Sequence, residues 1–114
     1  MVRLRRGNLL ADATTPDGKE RLDMLAQSTG IRIERIVSTG QASPPGFWYD
    51  QPEDEFVVLL TGAAEVAFAD GTKVRLAPGD WVDIPARERH RVASTQADPP
   101  TVWLVVHRRS PSRR

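Results

Sequence analysis

The chain has 114 residues, of which 39% are hydrophobic and 27% charged, which suits one compact domain with a single core and leaves no room for a second. It has no cysteine, so disulfide and thiolate chemistry are excluded and any metal site must use nitrogen and oxygen donors. The net charge of +1 hides a segregation, because seven arginines lie within residues 1–6 and 108–114, leaving nine basic against fifteen acidic residues between 7 and 107.

The first stretch, MVRLRRGNLL, carries basic residues but not the apolar run and small-residue cleavage site of a secretory signal. Nothing later reaches membrane-spanning length, so the reading is a soluble, cytoplasmic protein. Residues 1–6 and 109–114 read as flexible basic tails. Neither a basic face nor a nucleic-acid motif accompanies them, and nucleic-acid binding is not expected.

Next comes TTPDGKERLDMLAQSTG, where Leu22, Leu25 and Ala26 recur at helical spacing after Thr15-Pro16 and before Gly30. This spacing predicts one short N-terminal helix over 17–28. The remainder reads as strands: IRIERIVS, GFWYDQ, EFVVLLTG, AEVAFA, TKVRLA, DWVDIP, RHRVAS and TVWLVVH, most of them rich in β-branched or aromatic residues. Turn residues separate them at Ser43-Pro44-Pro45-Gly46, Asp70-Gly71, Ala77-Pro78-Gly79 and Asp98-Pro99-Pro100. Eight strands after one helix predict an all-β sandwich or barrel, since parallel βαβ units need intervening helices.

Alternation assigns faces. In EFVVLLTG, Glu55, Val57 and Leu59 point one way and Phe56, Val58 and Leu60 the other. With Pro52-Glu53-Asp54 read as a turn between antiparallel neighbours, Tyr49, Gln51 and Glu55 come to one spot. His90 lies between Arg89 and Arg91, so a strand there sends the arginines one way and His90 the other. His107 ends its strand without a motif and reads as a surface residue. Trp48, Trp81 and Trp103 read as core or subunit-interface residues.

The spacing of these residues resembles that of the small single-domain cupins of the cupin 2 conserved-barrel type. In the first motif of that family a His-x-His pair precedes a Glu and, after six intervening residues, a Gly. Glu55 and Gly62 keep that spacing, and Tyr49 and Gln51 stand where the histidines would be. The second motif is matched by GDWVDIPARERHRVAS at Gly79, Pro85 and His90, with Arg87 in place of its later Gly and Ser94 in place of its Asn. The resemblance implies a single cupin domain over 1–114, its double-stranded β-helix (jelly-roll) barrel spanning about 31–107.

It also implies a polar pocket that binds a small organic ligand through Tyr49 and Gln51. A divalent metal (zinc, iron, nickel and manganese are not distinguished) is implied in a degenerate site at Gln51, Glu55 and His90, with no organic cofactor. Two further readings stay open. One is a metal-free isomerase or lyase with Glu55 and His90 as catalytic acid and base. The other is a binding or sensor module without turnover. Strands apolar on both faces lead to an expected homodimer, burying part of Phe47, Trp48, Phe56 or Trp103.

Overall fold

Strand pairing, not helical spacing, organises the chain from Arg21 onward. The computed structural model describes residues 2–109, so of the tail expected over 109–114 only Arg109 is described, at the end of the last strand, and the rest lies outside the described residues. Eight strands follow in order: β1 Arg21–Ser28, β2 Ile31–Ser38, β3 Glu53–Thr61, β4 Ala64–Phe68, β5 Lys73–Leu76, β6 Trp81–Ile84, β7 His90–Thr95 and β8 Thr101–Arg109. About half of the chain is strand, in keeping with the expected all-β class. They pair antiparallel into one sheet of order β1-β2-β8-β3-β6 and a second of order β5-β4-β7. From β3 onward the chain crosses repeatedly between the two.

The helix expected over 17–28 does not form. A three-residue 3-10 turn at Pro16–Gly18 is all that precedes β1, which takes the rest of that stretch. Leu22, Leu25 and Ala26 fit a helix, but Leu22 and Met24 also alternate with Arg21 and Asp23, and β2 supplies partners that an isolated short helix lacks. Asp23 sits in register with Arg35, whose Nε donates to Asp23 Oδ2 at 2.9 Å. Gly30 is not a helix stop. With φ of +79° it is the left-handed residue of the β1–β2 hairpin.

Two further expectations fail nearby. The stretch 46–51 is a loop with one bridge, between Tyr49 and His90, because Pro44, Pro45 and Pro52 cannot donate to a ladder. Glu53 and Asp54 are not a turn but the start of β3, in register with Arg109 and Arg108 of β8.

The alternation in β3 is as expected: Val57 and Leu59 point into the core, where they meet Trp103 and Val105 of β8 and Ile84 of β6, across from Ala64 and Val66 of β4 and Leu76 of β5. Leu59 is fully buried and contributes about 2 kcal/mol of transfer free energy. On the outside of β1 and β2, the buried Arg35 guanidinium donates to the carbonyls of Leu9 (3.1 Å), Ala11 and Asp12 (3.4 Å). Arg5 donates to the Leu25 carbonyl at 2.6 Å. The N-terminal segment is thereby tied to the large sheet, which leaves the opposite, inner face of β2 free to line a site.

Candidate functional site

Between the sheets lies a cavity of about 240 Å³, walled largely by Val57, Val66, Val82, Ile84, Val92 and Val105. Tyr49, Gln51, Glu55 and His90 all line it, so the four predicted residues do come together. They arrive by a different route from the one expected. Tyr49 and Gln51 lie on the β2–β3 loop, which is held against the small sheet: Tyr49 N–H donates to His90 O at 2.7 Å and His90 N–H to Tyr49 O at 3.2 Å. Glu55 comes from the large sheet. The Tyr49 and His90 rings stack with centroids 5.4 Å apart.

Gln51 is fixed through its backbone, whose carbonyl accepts from Arg87 N–H at 2.8 Å. Arg87 has φ of +68°, in the left-handed region where glycine is at ease, and it occupies the position at which the second motif has a Gly. The turn keeps the glycine conformation while bearing an arginine, whose side chain reaches Asp50 at 3.4 Å.

The chemical centre is the pair His90 and Glu55, with Nε2 and Oε1 3.2 Å apart and both side chains largely buried. His90 Nδ1 lies 2.8 Å from the Glu88 carbonyl. A carbonyl only accepts, so Nδ1 carries a proton and Nε2 is left facing the carboxylate. Burial works against the imidazolium, but the Glu55 hydrogen bond, the Glu88 carbonyl and the two carboxylate charges outweigh it and raise the His90 pKa. Despite the short distance, Glu55 Oε1 has no well-aligned hydrogen-bond partner, and neither has Gln51 Oε1. Burial, then the charges of Glu20 and Glu55, push the Tyr49 phenol up, keeping it protonated.

A second polar group in the same cavity escaped the sequence reading. His107, expected at the surface, is only 4% exposed. Its Nε2 lies 3.0 Å from Glu34 Oε1, and Glu34 Oε2 accepts from Arg32 Nε at 3.1 Å. Arg32 also donates to Glu53 Oε2 at 3.0 Å. All three of His107, Glu34 and Arg32 line the cavity. Alternation carried the signal: Trp103, Val105 and His107 share the inner face of β8, as Arg32, Glu34 and Ile36 share that of β2. Of the tryptophans, Trp103 is buried and donates to Ser38 Oγ at 3.1 Å, Trp48 lies under the Arg89 guanidinium at 5.6 Å, and Trp81 is 60% exposed and belongs to no core.

Among the described residues the carboxylates of Glu20, Glu34 and Glu55 line the cavity, and Arg32, which lines it too, is already paired twice. The donors suit a transition metal poorly. Among the described residues no three His, Cys, Asp or Glu side chains are grouped as a metal ion requires, so the third ligand would be a neutral amide oxygen from Gln51. The unpartnered Gln51 and Glu55 oxygens suit a ligand that brings hydrogen-bond donors.

Comparison with known proteins matches residues 35–107 to the family model "Cupin domain". A structure from Ralstonia eutropha JMP134, described as a "putative mannose-6-phosphate isomerase", superposes with a TM-score of 0.88 at 46% identity, covering 94% of this chain and 100% of that one. A cupin superfamily protein from Desulfitobacterium hafniense DCB-2 superposes with a TM-score of 0.76 at 20% identity, covering 96% and 95%. A conserved Streptococcus pyogenes protein of unknown function gives 0.76 at 19%, covering 98% and 93%. The last two share the fold alone. No curated protein matches the sequence.

Proposed function

The chain belongs to the cupin family, and on that premise we propose that its cavity binds a small, uncharged, hydroxylated carbonyl compound on which Glu55 and His90 move protons, in a metal-free reaction of the isomerase or lyase kind. The observation that carries this reading is the buried Glu55–His90 pair, whose carboxylate oxygen lacks a well-aligned partner. The His90 imidazolium donates to the ligand's carbonyl oxygen, where negative charge develops. The Glu55 carboxylate takes up or returns the proton, Tyr49 donates its hydroxyl, and Gln51 Oε1 accepts from a ligand hydroxyl. The apolar walls exclude water and strengthen each of these interactions.

The name of the Ralstonia relative supports the isomerase class, at 46% identity. The phosphate in that name finds less support here. A phosphate ester brings roughly −1.5 to −2 charges at neutral pH, into a cavity lined by Glu20, Glu34 and Glu55 in which Arg32 is engaged. Mannose is therefore expected to raise the melting temperature of the protein more than mannose 6-phosphate does at equal concentration, and elemental analysis after dialysis to find less than one divalent ion per chain. Tighter binding of the phosphate ester, or a stoichiometric metal, would overturn the reading.

For assembly we infer a homodimer through the outer face of the large sheet. Phe56, Val58, Leu104 and Val106 lie there in adjoining register, and Trp81, paired with Val58 and stacked on Phe56 at 5.3 Å, is 60% exposed. Of the expected contact residues only Phe56 lies on this face: Trp103 faces the core, and Phe47 and Trp48 lie on the β2–β3 loop. Trp81→Lys should shift the mass measured by light scattering from dimer to monomer, and an unchanged mass would place the interface elsewhere.

A further inference from the structure

We propose that His107, held by Glu34, is a second proton-transfer residue of the same cavity: His107 moves the carbon-bound proton while His90 and Glu55 move the oxygen-bound one. The substrate class is then a 2-hydroxy carbonyl compound interconverted between its aldehyde and ketone forms. This rests on the reading above and adds to it a residue and a reaction.

The argument starts from an unsatisfied atom. His107 is buried on both sides, its Nε2 meets a carboxylate, and its Nδ1 has no hydrogen-bond partner. Buried side-chain nitrogens are paired in the large majority of cases, as His90 Nδ1 is with the Glu88 carbonyl. Glu34 is itself only 6% exposed, and its other oxygen is bound by Arg32, which is anchored in turn by Glu53. With Arg32 donating to its other oxygen, the carboxylate is placed to accept from Nε2–H. That fixes the tautomer and leaves Nδ1 as a bare, basic lone pair. An oriented carboxylate behind an imidazole is how such a base is prepared.

The placement suits division of labour. On the large sheet, Arg32, His107 and Glu55 stand in one row across β2, β8 and β3, since His107 is in register with both of the others. His90 comes from the small sheet, so the two imidazoles belong to different walls of one cavity.

The chemistry balances without a co-reactant. His107 Nδ1 removes the proton from the carbon bearing the hydroxyl. The C–H electron pair becomes the C=C bond of an enediol as the carbonyl π pair moves to oxygen, which takes the proton of the His90 imidazolium. The other enediol hydroxyl then returns its proton to His90, its oxygen lone pair forms the new carbonyl, and the C=C pair takes the proton held by His107 at the former carbonyl carbon. Both imidazoles end as they began.

The test follows deuterium. Nitrogen NMR of the labelled protein near pH 7.5 should show His107 protonated at Nε2 and bare at Nδ1; the opposite tautomer overturns the proposal. In deuterium oxide, wild-type protein given mannose, glyceraldehyde or lactaldehyde should exchange the C2 proton, and His107→Asn should slow this at least 100-fold while keeping the ligand-induced rise in melting temperature. Glu34→Gln, which retains the imidazole, guards against misfolding of the first variant: exchange should fall about tenfold, and undiminished exchange would show that Glu34 does not orient the base. Wild-type exchange in His107→Asn, alongside loss in His90→Asn, overturns the role of His107 and leaves the proposed function standing. Ligand-induced stabilisation of the wild type without any exchange overturns the carbon-acid chemistry.

Discussion

Replacing Gly62 by alanine is expected to lower the unfolding free energy by about 3–5 kcal/mol, a large fraction of the roughly 5–15 kcal/mol that keeps an ordinary domain folded. Two costs combine. The residue has φ of +81°, where an L side chain is strained by about 1–2 kcal/mol. In addition, a Cβ there would stand 2.5 Å from Thr101 Oγ1, 2.6 Å from Thr101 Cα and 3.0 Å from the Pro100 carbonyl. Thr101 has nowhere to go: it is fully buried, pairs with Ser38 at the start of β8, and its hydroxyl sits between the carbonyls of Gln96 (2.8 Å) and Ala63 (3.2 Å). Gly46→Ala separates the two costs, because Gly46 has φ of +82° and nothing within 4 Å of its would-be Cβ. It should lose roughly 1 kcal/mol. Equal midpoints for the two variants in urea unfolding would show that the Thr101 contact carries no weight.

Gly62 also explains part of what the sequence made legible. The spacing from Glu55 to Gly62 marks a strand that must turn under β8 at its end, and this packing constraint is visible as a glycine in one-dimensional text. Strand β2 was likewise readable to the residue, as were the inner positions of β3, because alternation is a local signal. The failures came where local signals were ambiguous or the decisive contact was remote. RLDMLAQS satisfies helical spacing and alternation at once, and only the partner strand, through Asp23 and Arg35, decides between them. The loop carrying Tyr49 and Gln51 reached the right place by the wrong route, since its partner is His90 some forty residues on rather than the next strand. His107 and Glu34 were missed for the same reason: residues 73 apart in the chain meet only once β2 and β8 are paired.

The largest functional effect is expected from Glu55→Gln, which keeps the shape of the side chain and removes its charge. Loss of a positioned acid–base group lowers turnover by roughly 10²–10⁴-fold, and ligand binding should survive, since the amide retains an oxygen acceptor. The same substitution acts on His90 in a predictable sense. In the wild type, burial depresses the imidazole while Glu55 and the Glu88 carbonyl raise it to a net value above the ordinary 6.5. A folded-state pKa raised in this way stabilises the protein fully below about 6.5, and the stabilisation is lost as pH rises through the raised value. Without the Glu55 charge and hydrogen bond, burial is opposed by Glu88 alone, so the His90 titration followed by ring-proton NMR should move to lower pH. The part of the stability–pH curve between the two values should flatten. An unmoved His90 titration would mean that the 3.2 Å approach carries no electrostatic coupling, and that the proton supplied to the ligand in this cavity comes from another group. A downward shift together with lost turnover would tie the chemistry to the one pair that the two sheets bring together from opposite sides of the core.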